Sequence, residues 1–132
     1  MSKPTEVPTV TPKQLVSDYM EQVWVHKRLD AVERFLAEDL IQHNPNLPNG
    51  LAAVKRFLPK LWGELAPQLE WRILRTIADG DLVVVHSHAV PAPGALGMSV
   101  VDIFRVANDR IVEHWDLSHE VPSTTASGNT IY

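Results

Sequence analysis

The first half of the chain repeats apolar residues at helical spacing. Thr11 can cap a helix, because Pro12 suits the first helical position and Gln14 lies three residues after the cap. Apolar residues then recur every three or four positions, which predicts an amphipathic helix. They are Leu15, Val16, Tyr19, Met20, Val23 and Trp24.

Two further helices are predicted before the middle of the chain. Asp30 can cap a short second helix whose apolar stripe is Val32, Phe35 and Leu36. Residues 42–50 are rich in Pro, Asn and Gly and predict a loop. A third helix is expected over residues 51–65, with a kink or break at Pro59 because proline lacks a backbone N–H.

The second half has the composition and turn signals of β-strands. We expect strands over residues 69–78, 82–90, 98–107 and 110–119, with a tight hairpin at Asp79-Gly80. Helices followed by an antiparallel meander predict an α+β fold.

The loop before the last strand decides which side chains share a face, because alternate residues of a strand point to opposite sides. A three-residue loop over residues 107–109 places Asp102 across from His114, whereas a two-residue loop places it across from Trp115. We favour the three-residue loop, because its last position needs a left-handed residue and Asp109 tolerates that conformation.

On this register one face of the predicted sheet mixes ionisable and apolar side chains. The apolar side chains of the opposite face also need cover, so the helices are expected to cover one face and a second subunit the other. The first face carries His86, His88, Asp102, His114 and Asp116 with Leu82, Val84, Met98, Val100 and Phe104, and the second carries Val83, Val85, Val101, Ile103, Trp115 and Leu117.

Composition narrows the class of protein. A length of 132 residues allows one domain, predicted over residues 11–120 between a flexible leader (1–10) and a tail (121–132) that is either disordered or lies across a partner. A net charge of −4 disfavours nucleic-acid binding. The absence of cysteine excludes disulfides and thiolate chemistry. No apolar run can span a membrane and no signal peptide is present, so a soluble, cytoplasmic protein is expected.

The face that carries both ionisable and apolar side chains suits proton abstraction from a carbon next to a carbonyl group. Desolvation raises the pKa of a carboxylate and makes it a competent base, with Asp116 and Asp102 as candidates. A neighbouring imidazole, from His88 or His114, can donate a hydrogen bond to the developing enolate.

Other interpretations of the same residues stay open. His86 and His88 could begin a metal site completed by His114, Asp116 or His43. The face could also line a non-catalytic pocket for a small apolar ligand, or its polar groups could form a purely structural network. Nucleophilic hydrolysis is disfavoured, because no Gly-x-Ser-x-Gly motif is present.

Three segments resemble those of a known family. Gln42-His43-Asn44-Pro45, together with residues 101–106 and 111–116, is similar to the SnoaL-like polyketide cyclases, a group of the nuclear-transport-factor-2-like superfamily to which ketosteroid isomerase is related. The resemblance covers residues 11–120. The chain departs from it at Asp109, where the hairpin usually has Gly, and in its His86/His88 pair.

The resemblance implies a cone-shaped barrel in which a curved, mostly antiparallel sheet wraps around the N-terminal helices and encloses a pocket. It implies a homodimer packed sheet to sheet, and cofactor-free aldol chemistry with an acidic acid/base residue. Asp116 lies where that residue is expected, Asp102 where a polar pocket residue, commonly His, is found, and His43 and Asn44 in the loop that closes the mouth.

Residues and resemblance together predict a small enzyme without cofactor or bound metal, acting by acid/base chemistry on an apolar, carbonyl-containing molecule. The expected reaction is an aldol-type cyclisation, an isomerisation or a dehydration. The catalytic candidates are Asp116, Asp102 and His114, and the substrate-binding candidates are His88, His86, His43, Asn44, Phe104 and Trp24.

Overall fold

The structure, a computed structural model, describes residues 10–132. Helix α1, Pro12–Tyr19, continues as the π-helical segment Met20–Val25. A 3-10 helix, Leu29–Arg34, follows, and α2, Leu51–Lys60, continues as the π-helical segment Leu61–Leu65. The predicted helix start is confirmed, because the Gln14 backbone N–H donates to Thr11 Oγ1 at 3.2 Å.

Five strands form one sheet in the order β1-β5-β4-β3-β2. All neighbouring pairs are antiparallel except β1 and β5, which run parallel. The predicted α+β fold is confirmed: a curved sheet wraps around the helices, although it stays open between β1 and β2. The strands are β1, Leu36–Gln42; β2, Glu70–Asp79; β3, Leu82–Val90; β4, Met98–Ala107; and β5, Arg110–Glu120.

The predicted second helix is wrong in its extent and its cap. The 3-10 helix ends at Arg34, the Asp30 side chain does not cap it, and Leu36 begins strand β1. Leu36 and Leu40 are buried four residues apart, a spacing that also fits a helix. Their strand conformation depends on pairing with β5, which lies far away along the chain.

The predicted loop between β4 and β5 is also wrong, yet the two aspartates still share a face. The turn has two residues, Asn108 and Asp109, with φ values of 52° and 59°, the left-handed geometry of a tight hairpin. A bulge then inserts Val112 as one extra residue of β5. Asp102 therefore pairs with Asp116, and Phe104 pairs with His114.

The predicted face of β3 is wrong. Val85 pairs with Asp102, whereas His86 pairs with Val101 and His88 with Ser99. Because cross-strand partners share a side of the sheet, both histidines lie on the face opposite to Asp102.

The two faces of the sheet have different surroundings. The inner face packs against the helices and forms the main core, to which Val83, Val85 and Phe104 contribute from the sheet. The outer face carries an apolar group that we call the outer patch: Leu82, Val101, Ile103, Trp115 and Leu117.

The last twelve residues fold back onto their own chain. The Val121 backbone N–H donates to the Gly97 carbonyl at 3.0 Å. Ser99 Oγ donates to the Ile131 carbonyl at 3.4 Å, and the Tyr132 ring stacks on His88 with 3.9 Å between centroids. The predicted leader, apart from Val10, lies outside the described residues. Over residues 10–132, each helix is too short or too polar to cross a bilayer.

Candidate active site

A cavity of about 190 Å³ lies between the inner face of the sheet, the helices and the loop that follows β1. Most of its lining is apolar, and its polar side chains come from β1, β4, β5 and that loop. The lining residues are Tyr19, Trp24, Leu36, Leu40, Gln42, Asn44, Asn46, Leu47, Val54, Phe57, Trp71, Val100, Asp102, Phe104, His114 and Asp116.

Asp102 and His114 form a buried pair at this cavity. His114 Nε2 lies 2.8 Å from Asp102 Oδ1, and the two side chains are 13% and 9% exposed. Burial raises the pKa of the Asp102 carboxyl, the adjacent His114 partly offsets that rise, and the nearby Asp116 adds to it. The other oxygen, Asp102 Oδ2, is buried without a hydrogen-bond partner in the described chain.

Gln42 determines where His114 carries its proton. Gln42 Oε1 accepts the Asn44 backbone N–H at 3.1 Å, which fixes the orientation of the Gln42 amide. The same oxygen lies 2.7 Å from His114 Nδ1, and an amide oxygen can only accept. His114 Nδ1 is therefore protonated, and a single proton lies between His114 Nε2 and Asp102 Oδ1.

Asn44 holds Asp116 in the same way. The Asn44 amide oxygen accepts the Asn46 backbone N–H at 2.8 Å, so its NH₂ group faces Asp116. Asn44 Nδ2 lies 3.1 and 2.9 Å from the two Asp116 oxygens. Both Asp116 oxygens therefore face a donor, and the Asp116 side chain is 23% exposed.

The parallel pairing of β1 with β5 brings this loop to the site. Gln42 pairs with His114, and the His43 backbone N–H donates to the His114 carbonyl at 2.9 Å. Alternate residues then face opposite sides, so Gln42 and Asn44 reach the cavity while His43 points to the outer face.

His43 is therefore not at the cavity, contrary to the predicted substrate contact. Its Nε2 lies 2.7 Å from Glu113 Oε2, and its ring stacks on Trp115 with 4.8 Å between centroids. His43 and Arg105 hold the pKa of Glu113 below its usual value through hydrogen bonds and charge. The contacts of His43 anchor the loop on the outer side of the sheet.

Phe104 and Trp24, two of the candidates for substrate binding, both line the cavity. The Phe104 ring stacks on His114 with 4.9 Å between centroids, and Trp24 Nε1 donates to the Tyr19 hydroxyl at 3.1 Å. Burial raises the pKa of the Tyr19 phenol, which stays protonated. Tyr19 was predicted only as a core residue.

His86 and His88 lie away from the cavity, on the outer face. His86 contacts Arg75 and lies 2.8 Å from Ser99 Oγ, and burial together with Arg75 lowers its pKa. His88 Nε2 donates to the Leu96 carbonyl at 2.7 Å beneath Tyr132. The alternative metal site on these two residues is wrong: Asp116 and His114 are on the other face, His43 contacts Glu113 instead, and within residues 10–132 the ligand atoms of His86 and His88 belong to no group of three.

The group of three side chains in residues 10–132 that could hold a metal ion is instead Asp102, His114 and Asp116. Their ligand atoms lie within 4.8 Å of one another. Imidazole nitrogens and carboxylate oxygens are ligands that bind zinc, iron or nickel.

Gln42 is the site residue that sequence reasoning missed. It directly precedes the His43-Asn44 pair that the resemblance had singled out. Recognising residues 36–42 as a strand paired with β5 would have placed Gln42 beside His114 and on the same face as Asn44.

Solved structures of similar fold cover most of the chain. They include a SnoaL-like polyketide cyclase from Agrobacterium tumefaciens (13% identity, TM-score 0.69, 85% of this chain and 94% of that one). A SnoaL-like protein of unknown function from Burkholderia thailandensis has 20% identity and a TM-score of 0.69 over 85% of this chain and 99% of that one. TsrD from Streptomyces laurentii has 17% identity and a TM-score of 0.67 over 86% and 91%.

The sequence comparison assigns the family. Among curated proteins none matches this chain. The family model described as the SnoaL-like domain matches residues 16–114, which include β1, the following loop and β5 as far as His114. The fold and this match lead to one conclusion: the chain belongs to the SnoaL-like family.

Proposed function

We propose that this protein is a cofactor-independent enzyme in which Asp116 removes a proton from a carbon next to a carbonyl group of a small apolar substrate. The proposal rests on one observation: the side chains of Asp102, His114 and Asp116 lie together at the polar end of an otherwise apolar cavity. A carboxyl group held by Asn44 at the edge of an apolar cavity is placed to act as a general base on a bound substrate.

Asp116 suits the role of base better than Asp102. Within residues 10–132 it accepts only from the Asn44 amide, and it is the more exposed of the two carboxyl groups. Asp102 is buried and shares a proton with His114, so this pair stays close to neutral overall. A neutral pair beside Asp116 adds little repulsion when the substrate becomes an anion.

The proposed step transfers the proton of the substrate C–H bond to an Asp116 oxygen, while the bond electrons move to the carbonyl oxygen as an enolate. That enolate can attack a second carbonyl, accept a proton at another carbon or expel a hydroxyl group. These outcomes are the aldol cyclisation, isomerisation and dehydration expected from the sequence. The description of family neighbours as polyketide cyclases favours the first.

Hydrogen–deuterium exchange tests the base without knowledge of the natural substrate. In D₂O, the wild-type protein should accelerate exchange at the α-carbon of 1-indanone, a bicyclic ketone. Asp116→Asn should slow that exchange by roughly 10²–10⁴-fold, the usual contribution of a positioned base. Asp79→Asn, a change on an exposed residue at the end of β2, is the matched control.

Exchange that stays at the buffer rate with wild-type protein, or that continues at full rate in Asp116→Asn, contradicts the proposal. If the protein binds 1-indanone but does not accelerate its deuterium exchange, the cavity is that of a non-catalytic binding protein.

We also propose a homodimer packed through the outer patch. Leu117 is 77% and Leu82 41% exposed in the single chain, beside the partly buried Trp115. Contiguous exposed apolar side chains of this kind favour a protein partner. The cytoplasmic location remains a prediction from the sequence.

A further inference from the structure

The side-chain amide of Gln42 has an uncommitted donor at the cavity. Its oxygen accepts both the Asn44 backbone N–H and His114 Nδ1–H. Its nitrogen makes no hydrogen bond within residues 10–132 and is not among the enclosed unpartnered atoms. Since Gln42 lines the cavity, this NH₂ group is open to a ligand.

A reversed amide would not satisfy these contacts. The Gln42 NH₂ group would then face the Asn44 backbone N–H at 3.1 Å, with two donors opposed. The backbone N–H cannot change its role, so the orientation is determined by the chain itself.

The other donors around Asp116 are already engaged. His114 Nδ1–H donates to Gln42, and the second proton of that group lies between His114 and Asp102. The Asn44 NH₂ group donates to Asp116. Three other donors line the cavity and must be distinguished by experiment: the Tyr19 hydroxyl, which accepts from Trp24, the buried Trp71 indole N–H, which has no partner within residues 10–132, and the Asn46 amide.

We propose that the Gln42 NH₂ group donates a hydrogen bond to the carbonyl oxygen of a ketone ligand in the cavity. Gln42 is then a catalytic residue, and it also orients His114. Its role toward the enolate rests on the proposed function, because the bond strengthens as negative charge develops on that oxygen.

The test uses 1-indanone and indane, which share a ring system but differ in the carbonyl group. Gln42→Glu at pH about 8 keeps an acceptor for His114 and removes the donor, whereas Gln42→Met removes both. The C=O stretch of bound 1-indanone reports its hydrogen bonds. ¹⁵N NMR of the His114 imidazole reports whether Nδ1 is still protonated.

We expect the C=O stretch to shift to lower frequency on binding to wild-type protein and to lose that shift in both Gln42 variants. Affinity for 1-indanone should fall by about tenfold in each, as for loss of one hydrogen bond in a shielded site. Affinity for indane should stay within about twofold. Gln42→Glu should retain protonated His114 Nδ1.

Three results would overturn the proposal. The first is an unshifted C=O stretch in wild-type protein. The second is a shift that survives in Gln42→Glu and disappears in Gln42→Met, since Gln42 would then act only through His114. The third is a shift that survives in both and disappears in Tyr19→Phe, Trp71→Phe or Asn46→Ala. None of these measurements needs turnover, so failure of Asp116 as a base is recognised separately by deuterium exchange.

Discussion

Replacing Asp102 by Asn and by Leu separates its hydrogen bond from its charge. The amide of Asp102→Asn retains a donor for His114 Nε2, because His114 already carries its proton on Nδ1. The aliphatic side chain of Asp102→Leu leaves Nε2 without a partner, although His114 is only 13% exposed. Asp102→Leu also removes the carboxyl oxygen that has no hydrogen-bond partner in the described chain, whereas Asp102→Asn keeps an amide oxygen in its place.

The two variants should differ in stability. Leaving a buried acceptor unpaired costs about 1–3 kcal/mol, so Asp102→Leu should lower the free energy of unfolding by that amount at pH 7. Asp102→Asn should stay within about 1 kcal/mol of wild type, because the bond to His114 is replaced. Urea unfolding followed by circular dichroism measures both.

The pH dependence of the free energy of unfolding shows whether the Asp102 charge stabilises or destabilises the fold. Since burial raises the pKa of Asp102, the folded chain holds this proton more tightly than the unfolded chain does. The bound proton stabilises the folded chain fully at pH values below the ordinary carboxyl pKa. This stabilisation is lost as the pH rises through the higher pKa that Asp102 has in the folded chain. Wild type should therefore lose stability relative to Asp102→Asn as pH rises. Two results would refute this reasoning. The first is an equal loss of stability in Asp102→Asn and Asp102→Leu. The second is a stability difference between wild type and Asp102→Asn that does not change with pH.

Two further changes probe the outer face. Leu117→Glu places a charge in the outer patch and should convert the proposed dimer to a monomer in light scattering, while an intact dimer would contradict that interface. Tyr132→Ala removes the ring that stacks on His88 and should lower the free energy of unfolding by about 0.5–1.5 kcal/mol, the usual range for an aromatic pair. Unchanged unfolding would show that the tail adds no stability.

The shared face of Asp102 and Asp116 was predicted correctly from an incorrect loop. The two-residue turn at Asn108-Asp109 alone would have turned Asp116 away from Asp102, and the extra residue Val112 reverses that effect. An apolar bulge residue has the same appearance in sequence as an ordinary strand residue. Only the hydrogen-bond ladder distinguishes the two.

The face of His86 and His88 could not be derived from alternation. Both faces of β3 carry aliphatic side chains, with Val83 and Val85 on one side and Leu82 and Val84 on the other. The segment between β3 and β4 contains prolines and glycines, so the strand parity cannot be followed through it. Both histidines have the structural role that the sequence left open: the partly buried His86 contacts Arg75 and Ser99, and the buried His88 contacts the tail at Tyr132.

The parallel pairing of β1 and β5 has a consequence for the order of events during synthesis. Gln42 and His114 are 72 positions apart, so the first half of the site leaves the ribosome long before its partner exists. Until residues 110–116 emerge, β1 has no strand to pair with on either side, whereas in the complete sheet only its outer side is an edge. Completion of the cavity therefore requires residues 110–116, and a chain that stops short of β5 lacks the partner of Gln42.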